Sequence, residues 1–189
     1  MHAHLDTERH LAKLAAEDPT FTYTSIREGL YAESTGMYTA SFDPRQPDGG
    51  EIRIPHDGSG PGISWVKLDE LGEASAKLIA SYAKDSEGFP FVNGKVLLTG
   101  SRAWSLAETA ELLSKIAGRE IKIKQVSLDE YLKLPKELEK FGSEEVARMW
   151  ATSWDAIRAG ETAVVTPELK KILGREPESF DVTVREYFA

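Results

Sequence analysis

The residues best suited to chemistry follow a short stretch of β-branched and aromatic side chains at 22–26. There the sequence places a charged pair, Arg27 and Glu28, then Gly29 and, two positions on, Tyr31. Residues 22–26 favour a strand, and in an open α/β sheet ligands bind at the carboxyl ends of the strands. The pattern therefore predicts that Arg27, Gly29 and Tyr31 line the mouth of a ligand crevice. A plain surface ion pair between Arg27 and Glu28, which would contribute little stability, is the alternative, and spacing alone does not separate the two.

Three further features could indicate catalysis or ion binding, but for each of them the sequence favours a purely structural role. The DGSGPG loop at 57–62 leads into an extended stretch, whereas a phosphate-binding glycine loop opens a helix. His4 and His10 do not share a helical face, so no metal site is predicted, and His56 is expected to be exposed in its loop. The sequence contains no cysteine and no G-x-S-x-G motif, so neither a thiolate nor a serine-hydrolase mechanism is indicated.

Length and composition favour one folded domain over 1–189. The chain has 189 residues, of which 41% are hydrophobic and 29% charged, values typical of a globular protein. A net charge of −8 argues against a nucleic-acid surface, which needs clustered basic residues. We expect no membrane span and no signal peptide, because no apolar segment is long enough for either. The predicted location is therefore a reducing cytoplasm, with no direct contact to nucleic acid or membrane.

Helices and strands alternate along the chain, which favours an α/β fold with parallel strands. Only two stretches have the pattern of central strands: 22–27, rich in β-branched and aromatic residues, and 95–99, which is almost wholly apolar. Ser105 and Glu108 have the spacing of a capping box, and Gly118 suits the position after the helix end. The predicted elements are helices over 4–17, 69–83, 105–117 and 144–158, strands over 21–27, 51–54, 95–99 and 120–127, and a short extended piece over 63–66.

The helix predicted over 144–158 carries Val146, Trp150, Trp154 and Ile157 on one face. An apolar helix stripe usually packs inward, so the two tryptophans are predicted to be core residues. Lining of a ligand groove is the alternative for this pair.

Three blocks of sequence occur in an order that resembles a known family. YTSIREGLYAES, ISWVKLDELGEASAKLI and KVLLTGSRAWSLAETAELLSKIAGREIKIKQVSLDEYL together are similar to the carboxyl-terminal part of NmrA-like proteins, which are atypical short-chain dehydrogenase/reductases. The helix HLDTERHLAKLA is similar to the helix before the family's fifth strand, so the resemblance covers nearly the whole chain. It implies an α/β fold in which an incomplete Rossmann-like, doubly wound sheet, made of the later strands only, carries a small helical and β substrate-binding lobe.

The same resemblance implies a function. The family includes NAD(P)H-dependent enzymes similar to quinone reductases, and redox-sensing regulators that bind the dinucleotide without turning it over. The expected parent activity is reduction of a small carbonyl or quinone-like acceptor with NAD(P)H, with NADPH favoured. The alternative is a non-catalytic redox-sensing transcriptional regulator or a protein-interaction module.

Site residues follow from the resemblance as well. His4 falls where many relatives carry a lysine that orients the nicotinamide ribose, which makes it the candidate catalytic position. In relatives, the loop after the fifth strand closes over the nicotinamide and the substrate. By this resemblance the cofactor edge is assigned to Arg27, Glu28 and Gly29, and the substrate edge to Leu30 and Tyr31.

The family's glycine-rich turn, G-x-x-G-x-x-G, would lie upstream of the HLDTE segment with which this sequence almost begins. We therefore expect a truncated chain, without the amino-terminal glycine-rich half and inactive or nearly so by itself. The strand at 22–27 would then have an open edge, and such edges favour pairing with other chains. Marginal stability, self-association through this edge, or a protein partner that supplies the missing strands is predicted.

Overall fold

The computed structural model describes residues 2–46 and 50–189. Two small parallel sheets are flanked by helices, and a 3₁₀ helix follows the first strand. In chain order the elements are α1 (His2–Glu17), β1 (Thr24–Glu28), the 3₁₀ helix (Ala32–Tyr38), β2 (Glu51–Ile54), α2 (Leu68–Lys84), β3 (Gly94–Leu98), α3 (Leu106–Ala117), β4 (Lys122–Gln125), α4 (Leu128–Tyr131), α5 (Pro135–Phe141), α6 (Glu144–Ala151), α7 (Ser153–Arg158), α8 (Glu168–Leu173) and α9 (Phe180–Tyr187).

The first sheet pairs the two strands that the sequence predicts to be central. β1 runs parallel to β3, with Thr24 opposite Gly94 and Glu28 opposite Leu98. Parallel neighbours need a crossover connection, and α2 lies in the chain between these two strands. The carboxyl end of β1, where the loop 27–31 begins, is therefore fixed by β3 beside it.

The second sheet pairs β2 with β4 in parallel, and Ile52 and Ile54 of β2 are buried. Residues 63–66, predicted as a short extended piece, form isolated bridges, Tyr31 with Val66 and Ile63 with Trp104. The extended piece is confirmed, and it bonds to a different neighbour at each end.

Local signals at α3 are confirmed. Ser105 accepts a hydrogen bond from the Glu108 amide while the Glu108 carboxylate accepts one from the Ser105 amide, which is the predicted capping box. Gly118 ends the helix with φ of 66°, in the left-handed region where glycine is favoured.

The single helix predicted over 144–158 is wrong: α6 and α7 are separate helices that meet at Thr152. The Thr152 hydroxyl donates to the Met149 carbonyl at 2.8 Å, a local bond that competes with the helix ladder. Val146, expected on the buried face, is 41% exposed. Val146 is therefore not on the buried side of α6, whereas Trp154 and Ile157 of α7 are buried.

Buried apolar side chains form two clusters, one on each sheet. The cluster on the first sheet includes Leu71 and Leu78 of α2 and Leu98 of β3. The cluster on the second sheet includes Ile52 and Trp154. The extended segment 62–66 supplies a residue to each, since Trp65 belongs to the second cluster and the adjacent Val66 to the first.

Within the described part of the chain, no helix has both the length and the apolar character to cross a membrane. The longest, α2, has 17 residues and carries charged side chains in its first and last turns. The cytoplasmic location concerns the cell rather than the fold and stays a prediction.

Candidate functional site

Arg27 faces helix α1 rather than the loop that follows it. Its Nε donates to Glu8 Oε1 at 2.7 Å, and the Ser25 hydroxyl donates to the same oxygen at 2.7 Å. The hydrogen bond from Arg27, assisted by that from Ser25, lowers the pKa of Glu8 to about 2. Arg27 therefore fastens α1 to β1, and the alternative ion pair with Glu28 does not form.

Glu28 and Tyr31 pair with each other across the loop. The Tyr31 hydroxyl donates to Glu28 Oε2 at 2.8 Å, and this bond raises the pKa of Tyr31. Tyr31 is 37% exposed, so its hydroxyl is engaged while part of its ring remains free to stack on a planar group.

Gly29 is required by close packing inside the chain. Its amide donates to the Leu98 carbonyl at 2.8 Å. A Cβ placed on Gly29 would lie 2.9 Å from the Ser64 carbonyl oxygen and 3.0 Å from Val66 Cγ2. The close backbone approach that the sequence suggests for a ligand is thus made by the segment 62–66 itself.

Leu30 lies at the edge of a groove of about 580 Å³. Its carbonyl accepts a hydrogen bond from the Val66 amide at 2.9 Å, which fixes its position. The groove is formed by the loop after β1, the 3₁₀ helix, the junction of α6 with α7, and the turn after α7. Its lining residues are Leu30, Tyr38, Met149, Trp150, Thr152, Ser153, Asp155, Ala156, Ala159, Glu161 and Thr162.

Aromatic rings form the inner surface of this groove. The Tyr38 and Trp150 rings lie 5.2 Å apart at 50°, and Trp150 meets Trp154 edge-on at 5.8 Å. Burial raises the pKa of Tyr38 to about 12, so its hydroxyl stays protonated over the physiological range. Trp154 is a core residue as predicted, whereas Trp150 is half-buried and lines the groove. Each interpretation of the tryptophan pair thus holds for one of its members.

A buried carboxylate anchors the chain just after Tyr38. Glu137 is fully buried and accepts hydrogen bonds from the Tyr131 hydroxyl at 2.6 Å and the Ser41 hydroxyl at 2.9 Å, while Lys140 Nζ lies 2.9 Å away. Ala40 and Ser41 have φ of 50° and 56°, a conformation that is uncommon for residues other than glycine. The bond to Glu137 stabilises this turn, which ends the 3₁₀ helix that carries Tyr38.

Comparisons with known proteins bear on a site of this shape, although no family model matches the chain. An NmrA-like family domain-containing oxidoreductase of Aspergillus flavus is 26% identical over 176 residues, which is 93% of this chain and 51% of that protein. The structure of an NADPH-dependent quinone oxidoreductase from Escherichia coli matches with a TM-score of 0.74 and 22% identity, covering all of this chain and 61% of that one. The resemblance to the NmrA-like family is confirmed.

Other proteins of the same fold have different described functions. A triphenylmethane reductase of Citrobacter sp. complexed with NADP(H) matches with a TM-score of 0.68 and 24% identity, covering 93% of this chain and 56% of that one. NmrA, a negative transcriptional regulator in complex with NADP, matches at 0.56 and 15%, covering 89% and 53%. The α/β, Rossmann-like fold class is confirmed with few strands, and the chain spans about half the length of the curated relatives it matches, 51% for the first.

The loop 27–31 suits a ring system better than a phosphate. Arg27, its one basic residue, is paired with Glu8, and Glu28 adds a negative charge. Tyr31 offers part of a ring face. A nicotinamide ring could therefore lie against Tyr31, whereas no residue of 27–31 presents a free cation to the phosphates of NAD(P).

The two histidine expectations have different outcomes. His4 is exposed on α1, and its side chain forms no hydrogen bond or ion pair within the described residues, so its assignment stays a prediction. His56, expected to be exposed, is 2% exposed, and its Nδ1 accepts a hydrogen bond from the Gly58 amide at 2.9 Å. That expectation is wrong because the ring packs beside Trp154, 6.2 Å away. No group of three His, Asp or Glu side chains suited to a metal occurs in the described part of the chain.

The groove residues Tyr38, Ser153 and Glu161 are the ones that sequence reasoning misses. Tyr38 sits in a 3₁₀ helix that has no periodic signal, and Ser153 lines the groove at the start of α7, directly after the junction at Thr152. The spacing of Trp150 and Trp154 is the one sequence feature that points to the groove, because it allows these residues to line a groove instead of packing in the core.

Proposed function

We propose that the chain forms the acceptor-binding part of an NAD(P)H-dependent oxidoreductase that reduces a small carbonyl or quinone-like compound. The observation that supports it best is the aromatic-lined groove of about 580 Å³ beside Leu30 at the carboxyl end of β1. In open α/β sheets this is where ligands bind, and the volume is within the usual range for small-molecule sites, about 300–1,000 Å³.

Relatives support the reaction class. They include an NmrA-like oxidoreductase, an NADPH-dependent quinone oxidoreductase and a triphenylmethane reductase. When bound, NAD(P)H supplies the hydride, and NADPH is favoured because a quinone oxidoreductase of this fold is complexed with it. The chain's own residues bind and orient the acceptor: Leu30 and Trp150 line the groove and exclude water from its faces. Tyr31, next to Leu30 in the loop, offers part of a ring face.

Binding of an acceptor by the chain tests this proposal first. Calorimetric titration with 1,4-naphthoquinone should show saturable binding, and Trp150→Leu should weaken it because the ring that lines the groove is lost. Tyr82→Leu is the matched control, since Tyr82 is an exposed aromatic residue that lines a different depression. Equal affinities for all three proteins would exclude the groove as the acceptor site.

Hydride transfer needs a second experiment, because we expect no saturable binding of NADPH or NADH by the chain alone. The matching part of the Escherichia coli quinone oxidoreductase can be replaced by this chain and oxidation of NADPH followed at 340 nm. Quinone-dependent oxidation that Trp150→Leu impairs would support the enzyme. A folded chimera that binds naphthoquinone and NADPH but transfers no hydride would contradict it. Micromolar binding of NADPH by the chain alone would contradict the expectation about the cofactor.

A protein-interaction role is the second candidate, supported by the outer edge of β1. Among the described residues β1 has one strand neighbour, β3. Ile79, 68% exposed, and Tyr82 adjoin it around an apolar depression of about 270 Å³ that also includes Ile26. Self-association or a protein partner through this edge predicts concentration-dependent sedimentation that Ile79→Glu abolishes. A monomer across the concentration range, with no partner retained, would count against it.

A further inference from the structure

His56 is a buried titratable side chain that the proposed acceptor site does not use. Its ring is 2% exposed, and Nδ1 accepts a hydrogen bond from the Gly58 amide at 2.9 Å. Because Nδ1 accepts, the ring hydrogen is on Nε2, which is buried and has no partner among the described residues. His56 is therefore neutral in this conformation, and one hydrogen bond from its ring closes the turn over residues 56–58.

Two charged side chains act on the His56 ring, Arg158 from α7 and Asp57 from the loop itself. Burial and, after it, the charge of Arg158 lower the pKa of His56, and Asp57 opposes this shift. Asp57 Oδ1 lies 3.6 Å from Nδ1, which is too long for a hydrogen bond, and it accepts the Ser59 amide at 2.9 Å instead. The ring of Trp154, 6.2 Å from that of His56, adds no charge.

The loop 55–62 is tied to two neighbouring elements at Gly58. The Gly58 carbonyl accepts the Ala107 amide of α3 at 3.0 Å, and a Cβ added to Gly58 would lie 2.7 Å from Ile123 Cδ1 of β4. Neither contact brings a charge to the loop. The position of Gly58, which the His56 ring fixes, therefore determines how the loop packs on both elements.

The same loop supports one wall of the groove, the turn at 158–162. Arg158 Nη1 donates to the Pro55 carbonyl at 2.8 Å, and the Thr162 hydroxyl donates to the Gly62 carbonyl at 2.7 Å. These bonds join the two ends of the turn to the two ends of the loop, and Thr162 itself lines the groove. A displacement of the loop should therefore reach the groove wall through both bonds.

We propose that protonation of His56 in mildly acidic solution releases the loop 55–62 and, with it, the groove wall at 158–162. A doubly protonated ring carries a hydrogen on Nδ1 that meets the hydrogen of the Gly58 amide, so the bond that closes the loop is lost. A charged imidazole is also costly to keep buried. Once released, the ring turns its new donor to the Asp57 carboxylate beside it. The added charge favours the open loop, which makes the loop a two-state element that responds to pH.

Amide hydrogen exchange of the whole chain, measured by NMR between pH 7 and pH 5, follows the opening directly. In the open loop His56 titrates near its ordinary pKa of 6.5. Below that pH the equilibrium constant for opening should rise about tenfold per pH unit until the closed form is itself protonated. Protection factors, which correct for the pH dependence of the exchange chemistry, should fall by the same factor at the amides of Gly58 and Ala107.

Two further amides show how far the opening spreads. The Glu161 amide donates to the Ala156 carbonyl at 3.0 Å, and both residues line the groove, so its protection should fall together with that of Gly58. The Asn93 amide donates to the Tyr23 carbonyl at 2.8 Å beside the first sheet, and its protection should not change. A local opening is thereby separated from unfolding of the whole chain.

Two substitutions of His56 separate titration from packing. In His56→Asn the side-chain oxygen still accepts the Gly58 amide, in the way that Asp57 accepts the amide two positions on, so protection should no longer depend on pH. His56→Phe keeps a ring and removes the acceptor, so the loop should be open at every pH. Thermal melts of both variants check that they fold.

Two substitutions outside the core complete the test. Asp57→Asn, at an exposed position, removes the partner of the charged ring, so the loss of protection should begin at a lower pH. His10→Gln, at an exposed position on α1, is the matched control and should behave as the wild type does.

Three results would overturn the proposal: wild-type protection at Gly58 that is independent of pH, an equal loss of protection at Asn93, or a loss in His56→Asn as steep as in the wild type. Loss at Gly58 and Ala107 without loss at Glu161 would refute the link to the groove wall. None of the measurements requires an acceptor or a dinucleotide, so the outcome does not depend on the proposed function.

Discussion

Replacing Gly29 by alanine tests whether packing of the segment 62–66, rather than ligand access, explains the glycine at the end of β1. The new Cβ would lie 2.9 Å from the Ser64 carbonyl oxygen and 3.0 Å from Val66 Cγ2. Ser64 cannot move easily, because its amide donates to the Thr162 carbonyl at 2.9 Å and its hydroxyl to the Val164 carbonyl at 2.8 Å. The added methyl group must therefore displace backbone on one side or the other.

The expected cost follows from two opposing effects. Overpacking of a well-packed position costs about 1–3 kcal/mol, and replacing glycine gains about 0.4–1 kcal/mol by restricting the unfolded chain. The free energy of unfolding should fall by about 1–2 kcal/mol, which for a chain of this size lowers Tm by about 2–8 °C.

Two other glycines calibrate the measurement. Gly72 is exposed in α2 with nothing within 4 Å of an added Cβ, so Gly72→Ala should raise Tm by about 1–4 °C. At Gly100 the Cβ would lie 2.0 Å from the Trp65 carbonyl oxygen, so Gly100→Ala should be the most damaging of the three. Thermal unfolding followed by circular dichroism should rank the proteins from most to least stable as Gly72→Ala, wild type, Gly29→Ala and Gly100→Ala. Gly29→Ala at or above the wild-type Tm would refute the packing explanation.

Three further substitutions probe the interactions around the site. Glu8→Gln removes a carboxylate whose pKa Arg27 lowers to about 2 from an ordinary 4.5. The wild type loses the stabilisation from this carboxylate as the pH falls from 4.5 towards 2. Over that pH range, Tm of the variant should therefore fall less steeply than Tm of the wild type. Glu137→Ala leaves the buried Tyr131 hydroxyl without its acceptor and should lower the free energy of unfolding in urea by about 3 kcal/mol, against about 1 kcal/mol for Tyr131→Phe; equal losses would show that the cluster is not centred on Glu137. Ser105→Ala removes the cap of α3 and should cost about 1 kcal/mol in the same assay, whereas Ser101→Ala, at an exposed loop position, should cost almost nothing.

Features set by nearby residues could be predicted from the sequence. The capping box of Ser105 with Glu108 and the left-handed Gly118 depend on contacts within a few positions, and the structure has both. The pairing of β1 with β3 follows from two stretches with strand character, one β-branched and one apolar, in a chain of alternating helices and strands. The resemblance to NmrA-like proteins gives the fold class because whole blocks, rather than single residues, carry it.

Features set by distant residues could not be predicted. The partner of Arg27 is Glu8, which lies 19 positions earlier, and nothing local separates that pairing from one with Glu28. The helix break at Thr152 is hidden because Trp150, Trp154 and Ile157 continue an apolar pattern across it. The buried, unpaired Ser153 hydroxyl is equally invisible before the tertiary contacts are known.

The segment 62–66 connects packing to the groove. Its backbone bonds to Leu30 through the Val66 amide at 2.9 Å, and to Thr162 through the Ser64 amide at 2.9 Å. Leu30 precedes the junction of α6 and α7 in the sequence and Thr162 follows it, but both residues line the same groove. Because one rigid segment sets the position of both, a backbone shift at Gly29 should change the groove as well as the stability. Gly29→Ala is therefore expected to weaken naphthoquinone binding although it touches no groove residue but its neighbour Leu30, whereas Gly72→Ala should alter stability alone.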